Sequence, residues 1–225
     1  MNLRTIRAFF LCISFTGFSS IENAGTRRAI SKALPSVVRI EAYNDEGLGI
    51  GSAAGFAYRK DGIIVTAAHV ISGGKVFLVI IADGDMLPGV FVGKDNAGDV
   101  AVLRVYKELR PIRFANSDKA YVGETLFAIG HPLGLFNTVT SGIVCGKSRN
   151  IGREYGDYIQ TDAKVNPGSS GGPLLNARGR LIGMVVLTVR TPSGAVTGYG
   201  LAVPSNRIRA TVRVILKNAK ITLWD

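Results

Sequence analysis

Two neighbouring serines, Ser169 and Ser170, sit in the run Asn166-Pro167-Gly168-Ser169-Ser170-Gly171-Gly172-Pro173. Glycines on both sides let backbone N–H groups turn toward one point, the arrangement that holds a developing oxyanion. A serine hydroxyl is a weak nucleophile at neutral pH and needs a base within hydrogen-bond reach. The chain contains two histidines, so the search for an imidazole base is short. His69 ends the apolar run Ile63-Ile64-Val65-Thr66-Ala67-Ala68, and His131 sits in the Gly/Pro loop Gly130-His131-Pro132-Leu133-Gly134. Asp95 and Asp99 are the nearby acids in Lys94-Asp95-Asn96-Ala97-Gly98-Asp99. Asp99 directly precedes Val100-Ala101-Val102-Leu103 and so stands at the mouth of a buried strand. A carboxylate held there can fix the tautomer of an imidazole. Asp95 reads as a turn residue. Singly, each of these is an ordinary core histidine, strand-end aspartate or turn serine, and the weight lies in their order.

Gly168-Ser169-Ser170-Gly171-Gly172 also satisfies the G-x-S-x-G pattern of α/β-hydrolases, but that fold places its histidine after the serine. No histidine follows Ser170, so that reading fails. The subtilisin order, acid then base then serine, could be drawn with Asp61 or Asp99. It requires alternating strands and helices, which the pattern lacks. What remains is the order His69, acid, Ser170 on an all-β scaffold.

The elements that must hold these residues read as short strands. Val/Ile-rich runs separated by turns such as Lys60-Asp61-Gly62 and Ala82-Asp83-Gly84 predict strands near 36–43, 51–58, 63–66, 76–81, 87–93 and 100–106. A second batch follows near 125–129, 138–144, 158–161, 172–175, 180–187 and 198–203. Two batches of this kind point to two packed antiparallel barrels, the first spanning 35–113 and the second 114–203. A short helix is expected over 27–34, stopped by Pro35, within an N-terminal segment 20–34. Pro204-Ser205 opens a closing helix in 204–225, with Ile208, Val212, Ile215 and Leu216 on one face.

These residues carry a family resemblance. Thr66-Ala67-Ala68-His69-Val70, Asp99-Val100-Ala101-Val102-Leu103 and Asn166 to Leu174 resemble the trypsin-like serine proteases, specifically their Deg/HtrA branch. The stretches 130–144, 158–185 and 198–205 continue the match in order. The resemblance implies two six-stranded barrels with the site in the cleft between them. It gives Ser170 as nucleophile, His69 as general base then acid, and Asp99 as the orienting carboxylate. Backbone N–H groups of Gly168, Ser169 and Ser170 form the oxyanion hole. Ser169 stands where the family usually has Asp or Asn, and His131 where Asn is more frequent. Val165, Thr188 and Val189 line the primary pocket, which suits small or medium aliphatic side chains. Lys164, six before the nucleophile, argues against a preference for Arg or Lys. The implied activity is that of an endopeptidase acting on unfolded polypeptides, with a non-catalytic polypeptide binder on the same fold as the alternative. No metal or organic cofactor is implied. The family commonly forms trimers and commonly carries PDZ domains, and the few residues after 205 leave no room for one in this sequence.

Composition sets the outer bounds. Hydrophobic residues make up 47% and charged residues 19% of 225, enough for a sizeable core and against disorder. The net charge of +11 is spread along the chain without the motifs of nucleic-acid modules. It predicts a cationic surface suited to weak association with anionic surfaces, and no specific nucleic-acid partner. Arg4 and Arg7 ahead of an apolar run from Ala8 to Phe18 resemble an export signal over 1–19. The expected location is therefore periplasmic or extracellular, with an uncleaved membrane-associated N-terminus as the alternative. Cys12 lies in that segment, which leaves Cys145 alone and read as a small buried hydrophobe.

Overall fold

The computed structural model describes residues 18–150, 157–190 and 193–220, so the expected export signal lies almost wholly outside the described residues. Helix α1 (Phe18–Ala33) begins well before Arg27, because no proline interrupts the residues ahead of it. It ends at a 3-10 turn, Leu34–Ser36, that contains Pro35.

Six strands follow: β1 (Val37–Tyr43), β2 (Gly49–Ala57), β3 (Ile63–Thr66), β4 (Val76–Ile80), β5 (Met86–Asp95) and β6 (Val100–Arg104). They close into a barrel in the order β1-β2-β3-β6-β5-β4. The second six are β7 (Thr125–Gly130), β8 (Thr138–Arg149), β9 (Tyr158–Thr161), β10 (Pro173–Asn176), β11 (Leu181–Arg190) and β12 (Val196–Pro204). They close in the order β10-β11-β12-β9-β8-β7, and every pairing in both barrels is antiparallel. The all-β, two-barrel expectation holds, with α2 (Ser205–Asn218) closing the described chain.

Three apolar clusters explain why some strands read as unbroken hydrophobic runs. One fills the first barrel, through Val38, Ile40, Ile64, Val79 and Leu103. Another fills the second, through Leu126, Val144, Ile159, Leu174 and Val185. The third lies between the barrels and takes the other face of the same strands, including Phe56, Ile63, Val65, Val102, Leu175 and Met184. A strand buried on both faces cannot alternate apolar with polar, and β3 is accordingly buried at all four residues.

Helix α2 lays Ile208, Val212, Ile215 and Leu216 on the inter-barrel cluster, the face predicted from the i, i+4, i+7, i+8 spacing. The Ser205 hydroxyl donates to the Ala115 carbonyl at 2.9 Å instead of capping the helix. That bond ties the helix start to the connector between the barrels. Ile208 is fully buried, so Ile208→Ala should cost about 2–5 kcal/mol. Urea unfolding followed by circular dichroism measures this, and a change below about 1 kcal/mol would mean that α2 does not close the inter-barrel core.

Candidate active site

His69 lies in a single 3-10 turn, Ala68–Val70, at the end of β3. Asp99 lies one residue before β6, and β3 pairs with β6 so that Thr66 faces Ala101. This register brings the two side chains together although 30 positions separate them. Asp99 Oδ2 lies 2.8 Å and Oδ1 3.0 Å from His69 Nδ1. The backbone N–H of His69 also donates to Asp99 Oδ1 at 2.9 Å. The carboxylate thus holds both the ring and the main chain of the histidine. Asp99 takes the left-handed conformation with φ 53°, a local cost that a non-glycine residue bears only where its surroundings impose it. Its side chain is 3% exposed against 45% for the imidazole, so a buried acid holds a half-exposed ring. Asp95 does turn work, its Oδ1 accepting from Ala97 N–H at 3.1 Å.

Ser170 comes from the second barrel, on the loop before β10. Its carbonyl accepts from Ala54 N–H of β2 at 2.9 Å, a main-chain bond across the barrel interface. The next residue, Gly171, has φ 81° and donates to Val185 O at 2.7 Å. A Cβ on Gly171 would collide with the Ala54 carbonyl and the Thr66 hydroxyl and come within 3.0 Å of Ala67 N. The serine loop therefore lies directly against the chain that leads into His69. The Ser170 hydroxyl has no hydrogen-bond partner among the described residues, His69 included. In an unliganded site such a bond is often long and tightens with substrate.

Asn166-Pro167-Gly168-Ser169 forms a turn closed by Ser169 N–H donating to Asn166 O at 2.9 Å, with Gly168 at φ 94°. The Ser169 N–H, expected in the oxyanion hole, donates to Asn166 O within this turn. The N–H groups of Gly168 and Ser170 find no acceptor among the described residues. The Ser169 side chain is buried, fitting beside Gly130, where a Cβ would meet Ser169 Cα at 2.7 Å.

Of the expected pocket residues, Val165 and Thr188 meet: the Thr188 hydroxyl donates to the Val165 carbonyl at 3.1 Å. Val189 does not join them, because successive strand residues face opposite ways and it packs against the inter-barrel cluster instead. Gly200 was not foreseen. It pairs with Thr188, and a Cβ there would stand 2.7 Å from Val165 Cγ2. A glycine within a strand was the available signal. Lys164 is exposed, and its carbonyl accepts from the Thr140 hydroxyl at 2.9 Å. Cys145 is only partly buried, on the outward phase of β8 next to buried Val144. Burial, together with the charge of Asp162, pushes its thiol up from the ordinary value.

Two closed antiparallel barrels with a histidine–aspartate pair on one and a glycine-flanked serine on the other define the class of trypsin-like peptidases. A family model described as the trypsin-like peptidase domain matches residues 53–184, more than half of the chain, and the chain belongs to that family. Within it the similar proteins are of the DegP and HtrA type. Protease Do-like 1, chloroplastic, of Arabidopsis thaliana is 39% identical over 218 residues, covering 89% of this chain and 49% of that protein. A probable periplasmic serine endoprotease DegP-like of Rhizobium meliloti is 39% identical over 172 residues, covering 75% of this chain and 34% of that protein. Among solved structures, the HtrA-type protease AlgW with a tripeptide superposes with a TM-score of 0.80 at 33% identity, over 86% of this chain and 64% of that one. The chain thus spans half or less of these two curated relatives.

Gly171→Ala tests the packing of the serine loop. The alanine meets a collision and a disfavoured backbone together, so it should destabilise by at least about 2 kcal/mol. A thermal midpoint within a degree of the parent protein would show that this loop is free of the first barrel.

Proposed function

We propose that the chain is a serine endopeptidase in which Ser170, His69 and Asp99 act as a catalytic triad. Ser170 Oγ attacks the carbonyl carbon of a peptide bond while His69 Nε2 takes its proton. The same imidazolium then gives that proton to the leaving amine, and water releases the acyl group by the reverse relay. Asp99 keeps the Nδ1 proton on its side of the ring and stabilises the imidazolium. Gly168 and Ser170 N–H groups receive the oxyanion, each such donor being worth roughly 3–4 kcal/mol of transition-state stabilisation. The observation that carries this reading is the two-point hold of Asp99 on His69, ring at 2.8 Å and backbone at 2.9 Å. A packed core histidine has no need of it.

The substrates we propose are unfolded polypeptides cleaved after small or medium aliphatic residues. Val165, Thr188 and the missing side chain of Gly200 support that preference. Each methylene of mismatch in such a pocket discriminates by only about 1–3 kcal/mol, so cleavage should be permissive. Export of the chain is supported by the relatives named as periplasmic. Weak attraction to anionic surfaces is supported by a groove of about 320 Å³ ringed by Arg28, Lys32, Arg110, Arg113 and Arg178, with no acid in its lining. The trimer implied by the family is an expectation for sedimentation.

The alternative, a polypeptide binder on the same fold, draws support from the unpartnered Ser170 hydroxyl. A fluorophosphonate should label Ser170 in the parent protein and leave Ser170→Ala unlabelled, whereas a binder gives no label in either. Asp99→Asn should retain the fold and lose about 10⁴-fold in kcat; a loss under tenfold removes Asp99 from the triad. A peptide library should be cleaved after Val, Ala or Ile, and a profile dominated by Arg or Lys would overturn the pocket.

A further inference from the structure

The geometry points to His131 as a positioning residue for the oxyanion hole: its ring pins the 131–137 loop, and that loop holds the carbonyl of Gly168. This inference rests on the proposed peptidase reading. Four contacts carry it. The backbone N–H of His131 donates to Gly168 O at 3.1 Å. Gly168 lies so close to the loop that a Cβ on it would stand 2.6 Å from His131 O and 3.2 Å from Pro132 Cα. His131 Nδ1 accepts from the backbone N–H of Asn137 at 3.0 Å, which closes the loop across six residues. The ring stacks on Phe136 with centroids 4.6 Å apart and planes at 28°.

The loop needs such a pin. Leu133 and Asn137 both take positive φ, 53° and 56°, although neither is glycine, and this is a cost that outside contacts must offset. His131 O accepts from Gly134 N–H at 3.2 Å and Pro132 O from Leu135 N–H at 2.9 Å, but these bonds stay within the turn. The Gly130–Thr138 strand pair and the Thr138 hydroxyl on Leu135 O close the far end of the loop. The His131 ring adds the bond to Asn137, and among the described residues the His131 N–H is the loop's hydrogen bond to Gly168. With the Gly168 carbonyl fixed, its peptide plane is fixed, and that plane sits beside the N–H aimed at the oxyanion.

The pin works only while the ring is neutral, because Nδ1 must accept. Nδ1 accepting puts the proton on Nε2, which is buried and has no well-formed partner among the described residues. The ring is 1% exposed. Burial pushes its pKa down from 6.5 to about 4; the Arg39 guanidinium of β1 acts in the same direction, and the Val38 backbone carbonyl opposes both. Arg39 is itself ion-paired with Glu41. No titratable residue lies between Asn166 and Ser169 or elsewhere in the 131–137 loop. Between pH 6.5 and 4 the unfolded chain takes up a proton that the native ring refuses, so stability falls as pH drops through that window. Below about 4 the charged ring can no longer accept from Asn137.

The test uses His131→Asn, whose side-chain oxygen can accept near the place of Nδ1, and His131→Leu, which keeps bulk but has no acceptor. At pH 8, His131→Leu should lose about 10- to 100-fold in kcat with KM within threefold of the parent, because an oxyanion donor acts in the transition state. His131→Asn should recover most of the kcat. Parent-like kcat in His131→Leu, or equal losses in both variants, overturns the inference. Amide hydrogen exchange supplies a readout that needs no activity. The His131 N–H should be protected in the parent and in His131→Asn, and at least tenfold less protected in His131→Leu. If His131→Leu fails to fold, the ring decides: in NMR the Asn137 amide should shift with an inflection near pH 4 together with the His131 imidazole. Independent titration of the two overturns the inference. A parent protein without hydrolysis but with these exchange and titration results refutes the peptidase reading and leaves the pin standing.

Discussion

The site depends on main-chain hydrogen bonds that fasten the serine loop between the two barrels. Ala54 N–H reaches Ser170 O at 2.9 Å, Gly171 N–H reaches Val185 O at 2.7 Å, and Val185 N–H reaches Gly172 O at 2.9 Å. The Thr66 hydroxyl, donating to Ala54 O at 2.7 Å, braces the first-barrel side of that seam. None of these bonds uses the side chain of Ser170, which stays free for chemistry. A loop fastened in this way has little conformational freedom left to lose when a substrate arrives, and donors fixed in advance stabilise a developing charge without reorganisation. The absence of a Cβ at Gly171 is part of the same fastening, since the two backbones could not otherwise approach so closely.

The histidine–aspartate pair is built on a different principle. It sits wholly within the first barrel, on two adjacent strands whose apolar residues are buried on both faces. Rigidity comes from packing, and direction comes from the strained backbone of Asp99, whose N–H donates to Asn96 O at 3.3 Å. Burying the carboxylate carries a desolvation cost, which its hydrogen bonds to the His69 ring and backbone offset. The imidazole stays half-exposed. One barrel therefore holds the histidine–aspartate pair and the other the glycine-flanked serine, with the third apolar cluster packed between the barrels.

Most of this was legible in the sequence because it rests on local pattern. Val/Ile-rich runs and turn residues located all twelve strands, and the i, i+4, i+7, i+8 spacing located the buried face of α2. The order of histidine, acid and serine singled out the pair that the structure joins, His69 and Asp99. Facing and hydrogen-bond closure were less legible. Register shifts interrupt β11 between Val185 and Leu187 and again between Thr188 and Arg190, so residue type could not say which way Val189 points. The Ser169 N–H was assigned to the oxyanion because nothing in the sequence shows that Asn166 O claims it. Cys145 read as apolar filler, but its strand phase turns it outward. The missed part of α1 is residues 18–26; its contacts with the core, through Ile30 and Ala33, lie in the part that was expected.

The chain's two histidines show how environment divides one side chain between two tasks. His69 has a half-exposed ring and a carboxylate at its Nδ1. His131 has a buried ring, a backbone donor at its Nδ1 and a cation in its vicinity, and burial outweighs the Val38 carbonyl that favours protonation. The first arrangement suits the acid–base role proposed for it, and the second suits a fixed acceptor in a turn with positive φ at Leu133 and Asn137. The oxyanion loop lies between them, seamed to the first barrel at Ser170 and backed by the 131–137 loop at Gly168. On the proposed reading, triad identity alone would not set the capacity for chemistry, because the Gly168 carbonyl is held by the backbone of a loop that the His131 ring helps to close.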